Sequence, residues 1–250
     1  MLMRWIQLLA AMAVATSGST AAESEWDYTA TLYGWFPGVS TSLETPMGEV
    51  ESEVGFDEIL ETIDVAFLGA VEARNGRFSL IGDLQYFDVG VEAEPPTGML
   101  FSEADVDSQM VLVSAYATYA LVDEPDLRFD VGVGLRYVDA TIDTHLLGVA
   151  PTPDTSFTRD GGWTDALIAA RISKQFNERW YGVAYADVGG FGVGDSSDLT
   201  WQAFVGAGYR FNETWSAVGG YRHMTIERAF GNFNVTADVS GPFLGFQVSF

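Results

Sequence analysis

The chain has 250 residues, 12 Lys+Arg against 35 Asp+Glu, and a formal charge of −23. Such acidity argues against nucleic-acid binding, which needs clustered Lys and Arg on phosphates. The absence of Cys excludes disulfides, thiolate metal sites and a Cys nucleophile. A content of 48% hydrophobic residues, 14% aromatic, excludes disorder over most of the length.

Residues 1–22 (MLMRWIQLLAAMAVATSGSTAA) have the three parts of a secretory signal. Arg4 is the positive start, Ile6 to Ala15 the apolar run, and Thr20-Ala21-Ala22 the small cleavage positions. The run is too short to cross ~30 Å of hydrocarbon as a helix. No later segment has ~18 consecutive apolar residues. The remaining 23–250 is therefore a single domain, either soluble after export or an outer-membrane barrel.

Period-two alternation recurs along this domain. In 77–87, Phe78, Leu80, Leu84 and Tyr86 oppose Arg77, Ser79, Asp83 and Gln85. From Leu127 to Tyr137 every odd position is apolar, and the even positions are Arg128, Asp130, Gly132, Gly134 and Arg136. In 199–211, Trp201, Ala203, Val205, Ala207, Tyr209 and Phe211 oppose Gln202, Gly206, Gly208 and Arg210. The chain ends with Leu244, Phe246, Val248 and Phe250 opposite Gly245, Gln247 and Ser249. The pattern predicts ten strands, about 26–36, 63–74, 77–91, 108–121, 127–143, 162–176, 179–192, 199–211, 215–229 and 238–250, with eight or twelve as alternatives. Short turns at Asn75-Gly76, Asp123–Asp126, Asn177-Glu178 and Asn212–Thr214 alternate with mostly longer connections at 37–62, 92–107, 144–161, 193–198 and 230–237. Strands near the ~9–11 residues a tilted membrane strand needs, joined by short turns on one side and longer loops on the other, predict a transmembrane antiparallel up-and-down β-barrel. Residues 39–54 could add a projecting hairpin, and 56–62 one helical turn near the mouth. Trp26, Tyr28, Phe78, Tyr119, Phe129, Trp180, Phe211, Trp215 and Phe250 fall near the periplasmic strand ends, where an aromatic girdle belongs.

Several stretches resemble a widespread group of small, mostly uncharacterised Gram-negative outer-membrane β-barrel proteins. They are VEARNGRFSLIGDLQYFDV (71–89), GLRYVDATID (134–143), ADVGGFGVG (186–194), WQAFVGAGYRFNETWSAVGGYRHMTIE (201–227) and GPFLGFQVSF (241–250). The resemblance implies an integral protein of the bacterial outer membrane. Its terminal aromatic, Phe250, looks like the signal read by the barrel-assembly machinery. No catalytic residue and no cofactor is carried over.

Placing the charges on this topology separates two populations. Glu44, Glu49, Glu51, Glu53, Asp57, Glu58, Glu61 and Asp64 fall within 44–64, on the predicted outer side, with no Lys or Arg among them. Asp88, Glu92, Glu94, Glu103, Asp105 and Asp107 fall within 88–107 on the same side. The alternation instead turns Glu72, Asp83, Asp130, Asp165 and Asp187 inward, together with Arg128, Arg136, Arg171, Arg210 and Arg222. Buried charge is tolerated when it is paired and hydrogen-bonded, and Arg binds carboxylates through a two-pronged fork. These ten residues are expected to form an ion-pair network that fills the lumen.

The other constellations are weaker. His145 follows Asp143 and Thr144. His223 shares a face with Tyr221, Thr225 and Glu227, and that face points outward by simple alternation. A hydrolase with a rim His as general base would need one of them turned toward the mouth. The run DVGGFGVG (187–194) lacks the Lys-Ser/Thr and the strand-to-helix context of a phosphate loop. Asp105/Asp107 and Asp195/Asp198 match no EF-hand pattern, so no metal site is expected.

The leading expectation is a monomeric barrel with a charge-paired, largely plugged lumen and acidic outer loops. It would have no enzymatic activity, a structural or surface-interaction role, and outer-membrane lipid and lipopolysaccharide as its surroundings. A narrow cation-preferring channel is the first alternative, and a rim-His hydrolase the second.

Overall fold

A computed structural model of the chain describes residues 26–45, 48–55, 63–93, 101–149, 152–230 and 233–250. The expected export signal (1–22) and the suggested helical turn (56–62) lie outside these residues. Among the described residues every regular element is a strand. The strands are β1 (Asp27–Trp35), β2 (Gly38–Thr45), β3 (Gly48–Val54), β4 (Ile63–Asn75), β5 (Phe78–Ala93) and β6 (Phe101–Asp123). They continue with β7 (Leu127–Gly148), β8 (Thr155–Gln175), β9 (Trp180–Gly190), β10 (Leu199–Arg210), β11 (Trp215–Phe230) and β12 (Phe233–Ser249).

All but β2 and β3 form a closed antiparallel ring. Strands β4 to β12 pair in sequence order, and β1 closes the ring between β4 and β12. The expected ten-stranded barrel is the observed one. At the seam the two ends of the ring exchange backbone bonds, Tyr28 N to Phe250 O at 2.9 Å and Phe250 N to Tyr28 O at 3.0 Å. Their rings stack with centroids 5.8 Å apart.

Segments β2 and β3 form the hairpin raised for 39–54. β12 pairs with β1 through 243–249 and with β2 through 234–240, so β2 continues the wall above β1. The interruption falls at Pro37, which has no N–H to give the ladder. Pro242 stands at the same level of β12 and accepts a bond from Phe36 N at 2.9 Å.

The wall is uneven in height. β6, β7 and β8 have 23, 22 and 21 residues, against 11 in β9 and 12 in β10. At ~3.3 Å per residue the longest is about 75 Å, far beyond what a hydrocarbon core needs even when tilted. This corrects the expected connections at 92–107, 144–161 and 230–237. Most of those residues extend β5 to β8, β11 and β12 upward. The reason is physical: above the membrane both faces of a sheet meet water, so no apolar alternation marks the strand. On β8, Thr155 to Gly162 are exposed on both faces.

Leu32, Val71, Leu80, Val133, Leu135, Ile168, Val205 and Phe246 are exposed on the outer surface and form an apolar belt. Tyr28, Phe78, Tyr119, Trp180, Phe211, Trp215 and Phe250 are exposed beneath it, around the short turns. A spanning sheet needs this arrangement, with apolar side chains to the lipid and amphipathic rings at the interface.

Inside, rings lie over backbone. A Cβ on Gly134 would meet Ala115 O and Tyr116 Cδ1, both at 2.6 Å. Glycine there lets the Tyr116 ring cross the β7 backbone. Gly134→Ala should therefore destabilise the barrel by ~1–3 kcal/mol. Gly161→Ala, where the added Cβ meets nothing within 4 Å, should stay within ~0.5 kcal/mol. Urea unfolding of refolded protein in lipid vesicles measures both; equal midpoints would contradict this packing.

Candidate functional site: the charged interior

The inward positions of the ring create two polar tiers. The lower one lies just above the short turns. Arg171 on β8 grips Glu72 on β4 through both Nη atoms, each at 2.8 Å. Arg74 adds a third bond to Glu72 at 2.9 Å. Arg171 Nε also reaches Asp130 at 3.4 Å, and Arg128 Nε reaches the other Asp130 oxygen at 2.9 Å. Arg128 continues to Asp123 at 2.9 Å and to the carbonyls of Gly76 and Arg77.

The upper tier is drier. Arg136 on β7 points Nη2 at both oxygens of Asp187 on β9, at 2.9 and 3.0 Å. These side chains are 0% and 1% exposed. Nη1 bonds Thr200 at 2.9 Å and Nε bonds Ser114 at 3.3 Å. The Tyr116 hydroxyl donates to Asp187 at 2.8 Å and accepts from Gln202 Nε2 at 2.9 Å. Gln202 Oε1 in turn accepts Arg222 Nη2 at 2.6 Å and Nε at 3.0 Å. Arg222 donates to the Tyr33 hydroxyl at 3.2 Å, and Tyr33 donates to Asp83 at 2.7 Å. The Arg222 guanidinium also lies 4.9 Å from the centroid of the Trp35 ring.

The ten charges named from the sequence therefore divide. Glu72, Asp130, Arg128 and Arg171 meet in the lower tier, and Arg136 and Asp187 in the upper. Arg222 and Asp83 are 3.9 Å apart and are joined through Tyr33. Asp165 is fully buried but faces a different group. It takes Ser197 N at 2.7 Å, Ser197 Oγ at 2.9 Å and Trp163 Nε1 at 3.2 Å. The turn after β9, which has positive φ at Gly190, Phe191, Gly192 and Gly194, folds over the mouth to bring Ser197 there. Arg210 is at the periplasmic rim, bonded to Gln175 at 2.6 Å and stacked over Tyr181 at 5.1 Å. Those two residues depart from the expected Arg–carboxylate pairing. A loop fold supplies the partner of one, and the solvated rim removes the need for an ion pair at the other.

The sequence reading counted charges and so missed the neutral members: Tyr33, Ser114, Tyr116, Thr200 and Gln202. Their signal was parity, since each occupies an inward position. It also missed an apolar layer near the outer end, where Trp35, Leu68, Leu112, Val138 and Met224 pack against one another.

His223 lies on the outer face beside Trp201, with ring centroids 4.6 Å apart. Its Nε2 is 3.0 Å from Thr225 Oγ1, which also bonds Asp238. Thr225 has one proton. An ionised Asp238 can only accept, so that proton goes to Asp238 and His223 Nε2 must be the donor. Asp238 Oδ1 is itself 3.7 Å from His223 Nε2. His145 Nδ1 meets Ser156 Oγ at 2.8 Å on the exposed upper part of β7 and β8. Among the described residues no three His, Asp or Glu side chains converge as a metal site.

Similar folds were found among solved structures. The chain matches the translocator domain of the autotransporter NalP from Neisseria meningitidis with a TM-score of 0.53 and 12% identity, covering 90% of this chain and 88% of that one. It matches the outer membrane protease OmpT from Escherichia coli with a TM-score of 0.50 and 10% identity, covering 90% and 97%. At these identities the likeness concerns fold. No protein-family model and no curated protein sequence matches the chain. A closed antiparallel barrel with a lipid-facing belt is an integral protein of the bacterial outer membrane.

Breaking the dry pair should be costly. Arg136→Ala leaves Asp187 charged and buried, and should destabilise by ~3–5 kcal/mol. Lys174→Ala removes an exposed pair with Asp126 and should cost under ~1 kcal/mol. Urea midpoints in vesicles compare the two, and a similar small loss for both would refute the buried pair.

Proposed function

We propose that this protein is a barrel whose lumen is closed by its own side chains and whose role is structural or interactive at the cell surface. The observation that carries the reading is the Arg136–Asp187 pair, which joins β7 to β9, is dry on both sides and is bonded to residues of β6 and β10. Bonds that reach four strands around a ten-stranded ring, such as Tyr116 to Gln202 and Arg171 to Glu72, must cross its interior. Rings of this size have lumens that side chains can fill. The apolar layer above adds a second obstruction to ions, which are reluctant to leave water.

Interaction would then fall to the tall outer wall. Asp139, Asp143, Asp154 and Asp160 stand on or beside the upper part of β7 and β8. With the acids of the outer connections they would attract cations and, through them, lipopolysaccharide phosphates. A monomer fits a ring that closes on itself and leaves no unpaired edge within the membrane. Phe250, exposed at the closing seam, is the residue the assembly machinery would engage. His223 supports a non-enzymatic reading, because its ring lies against Trp201 on the outer face rather than turned toward the mouth.

Planar-bilayer recording on refolded protein tests the closed lumen. The expected result is no unitary current in the native protein and none in Arg222→Ala, whose tier keeps Arg136, Asp187 and Tyr116. Steady cation-selective steps in the native protein would establish the channel reading instead.

A further inference from the structure

Between the two tiers lies a chamber of about 190 Å³. Its polar ends are the tiers themselves, with Glu72 and Arg171 below and Asp187, Gln202 and Arg222 above. Its flank is a chain of four aromatic rings. Tyr185 stacks on Phe204 at 5.3 Å, Phe204 meets Phe243 edge-on at 5.0 Å, and Phe243 stacks on Tyr33 at 4.5 Å. Small side chains, Ala70 of β4 and Ala169 of β8 among them, make room beside the rings.

Three properties of this space define what fits it. An apolar cavity of about 150 Å³ is large enough for benzene, so a single substituted ring suits this volume. Ring edges and faces on one wall favour an aromatic occupant by edge-to-face contact. The bordering charges are already matched: Glu72 to Arg171 and Arg74, Asp187 to Arg136, and Asp83 to Tyr33 and Gln85. A charged guest would find no free counter-charge, so the occupant is neutral.

The wall still offers hydrogen bonding. Thr118 lines the chamber, and its Oγ1 is buried with no partner. Tyr185 also lines it, stacked on Phe204 and with its hydroxyl bonded to no other described residue. The hydroxyls of Tyr33 and Tyr116, by contrast, are bonded to carboxylates. We propose that the chamber is a binding site for a small neutral aromatic alcohol of the phenol class, with its ring against Phe204 and Phe243 and its hydroxyl bonded to Tyr185. Entry would be from the periplasmic side. Arg171 and Glu72 are 15% and 19% exposed, whereas Arg136, Asp187 and Arg222 are 0–1% exposed. The lower tier is thus the looser door.

Fluorine NMR on refolded protein, titrated with 4-fluorophenol and separately with fluorobenzene, tests this. Saturable binding of both is expected. Tyr185→Phe should weaken 4-fluorophenol about fivefold, the worth of one neutral hydrogen bond, and leave fluorobenzene unchanged. Ala169→Leu, which fills the chamber, should abolish both. Heat-modifiable migration establishes that each variant is folded. Should the Leu variant fail to fold, the Tyr185→Phe comparison still decides. Linear, non-saturating partition into native protein would mean the chamber holds water alone and would overturn the proposal. Equal weakening of both probes by Tyr185→Phe would overturn the assigned hydrogen bond. A conducting lumen is a separate failure, read by current rather than by binding.

Discussion

The constraint on which everything else rests is the pairing of backbone groups in hydrocarbon. With no water to bond them, the N–H and C=O groups of a spanning sheet must find partners within the sheet, and only a closed ring leaves none at an edge. The β1–β12 seam meets that demand. Seven residue pairs join 29–35 to 243–249, and Tyr28 and Phe250 exchange bonds beneath them. Once the ring is closed, alternation directs every other side chain to lipid and the rest to a narrow interior.

That interior has its own problem. Arginines and carboxylates there are too far from water to stand alone, and their pairing is graded with depth. Near the rim, Arg210 makes do with an amide and a ring. One level in, Glu72 and Arg171 pair with some water still in reach. Deeper, Arg136 and Asp187 are dry, and Ser114, Tyr116, Thr200 and Gln202 complete their bonding. The neutral residues Tyr33, Tyr116, Thr200 and Gln202 matter because guanidinium and carboxylate groups have more donors and acceptors than one partner can satisfy. The gap between the tiers remains because the side chains facing it include Ala70 and Ala169 rather than longer ones.

Much of this was legible beforehand. The strands within the membrane were readable because one face must be apolar, so Leu127 to Tyr137 announces its orientation residue by residue. The same logic placed Asp130, Arg136 and Arg171 inside. It failed where its cause was absent. Above the membrane β6, β7 and β8 run on through stretches such as 155–162, where both faces meet water and no periodicity survives. It was also silent on inward apolar residues such as Leu68, Leu112 and Val138, which look like ordinary strand hydrophobes until the direction of each is known.

By itself the sequence determined that there is a ring of about ten strands, the sense of its faces, the girdle at its short turns and the sign of its buried charges. These follow from period-two patterning against two different solvents, and patterning is local. Only the tertiary structure decided who meets whom. Asp165 finds Ser197, 32 residues away, because a turn folds over the mouth, and Arg222 finds Asp83 through Tyr33. Such partners lie on strands far apart in the chain. Their meeting depends on the curvature and closure of the whole sheet, which no single strand encodes.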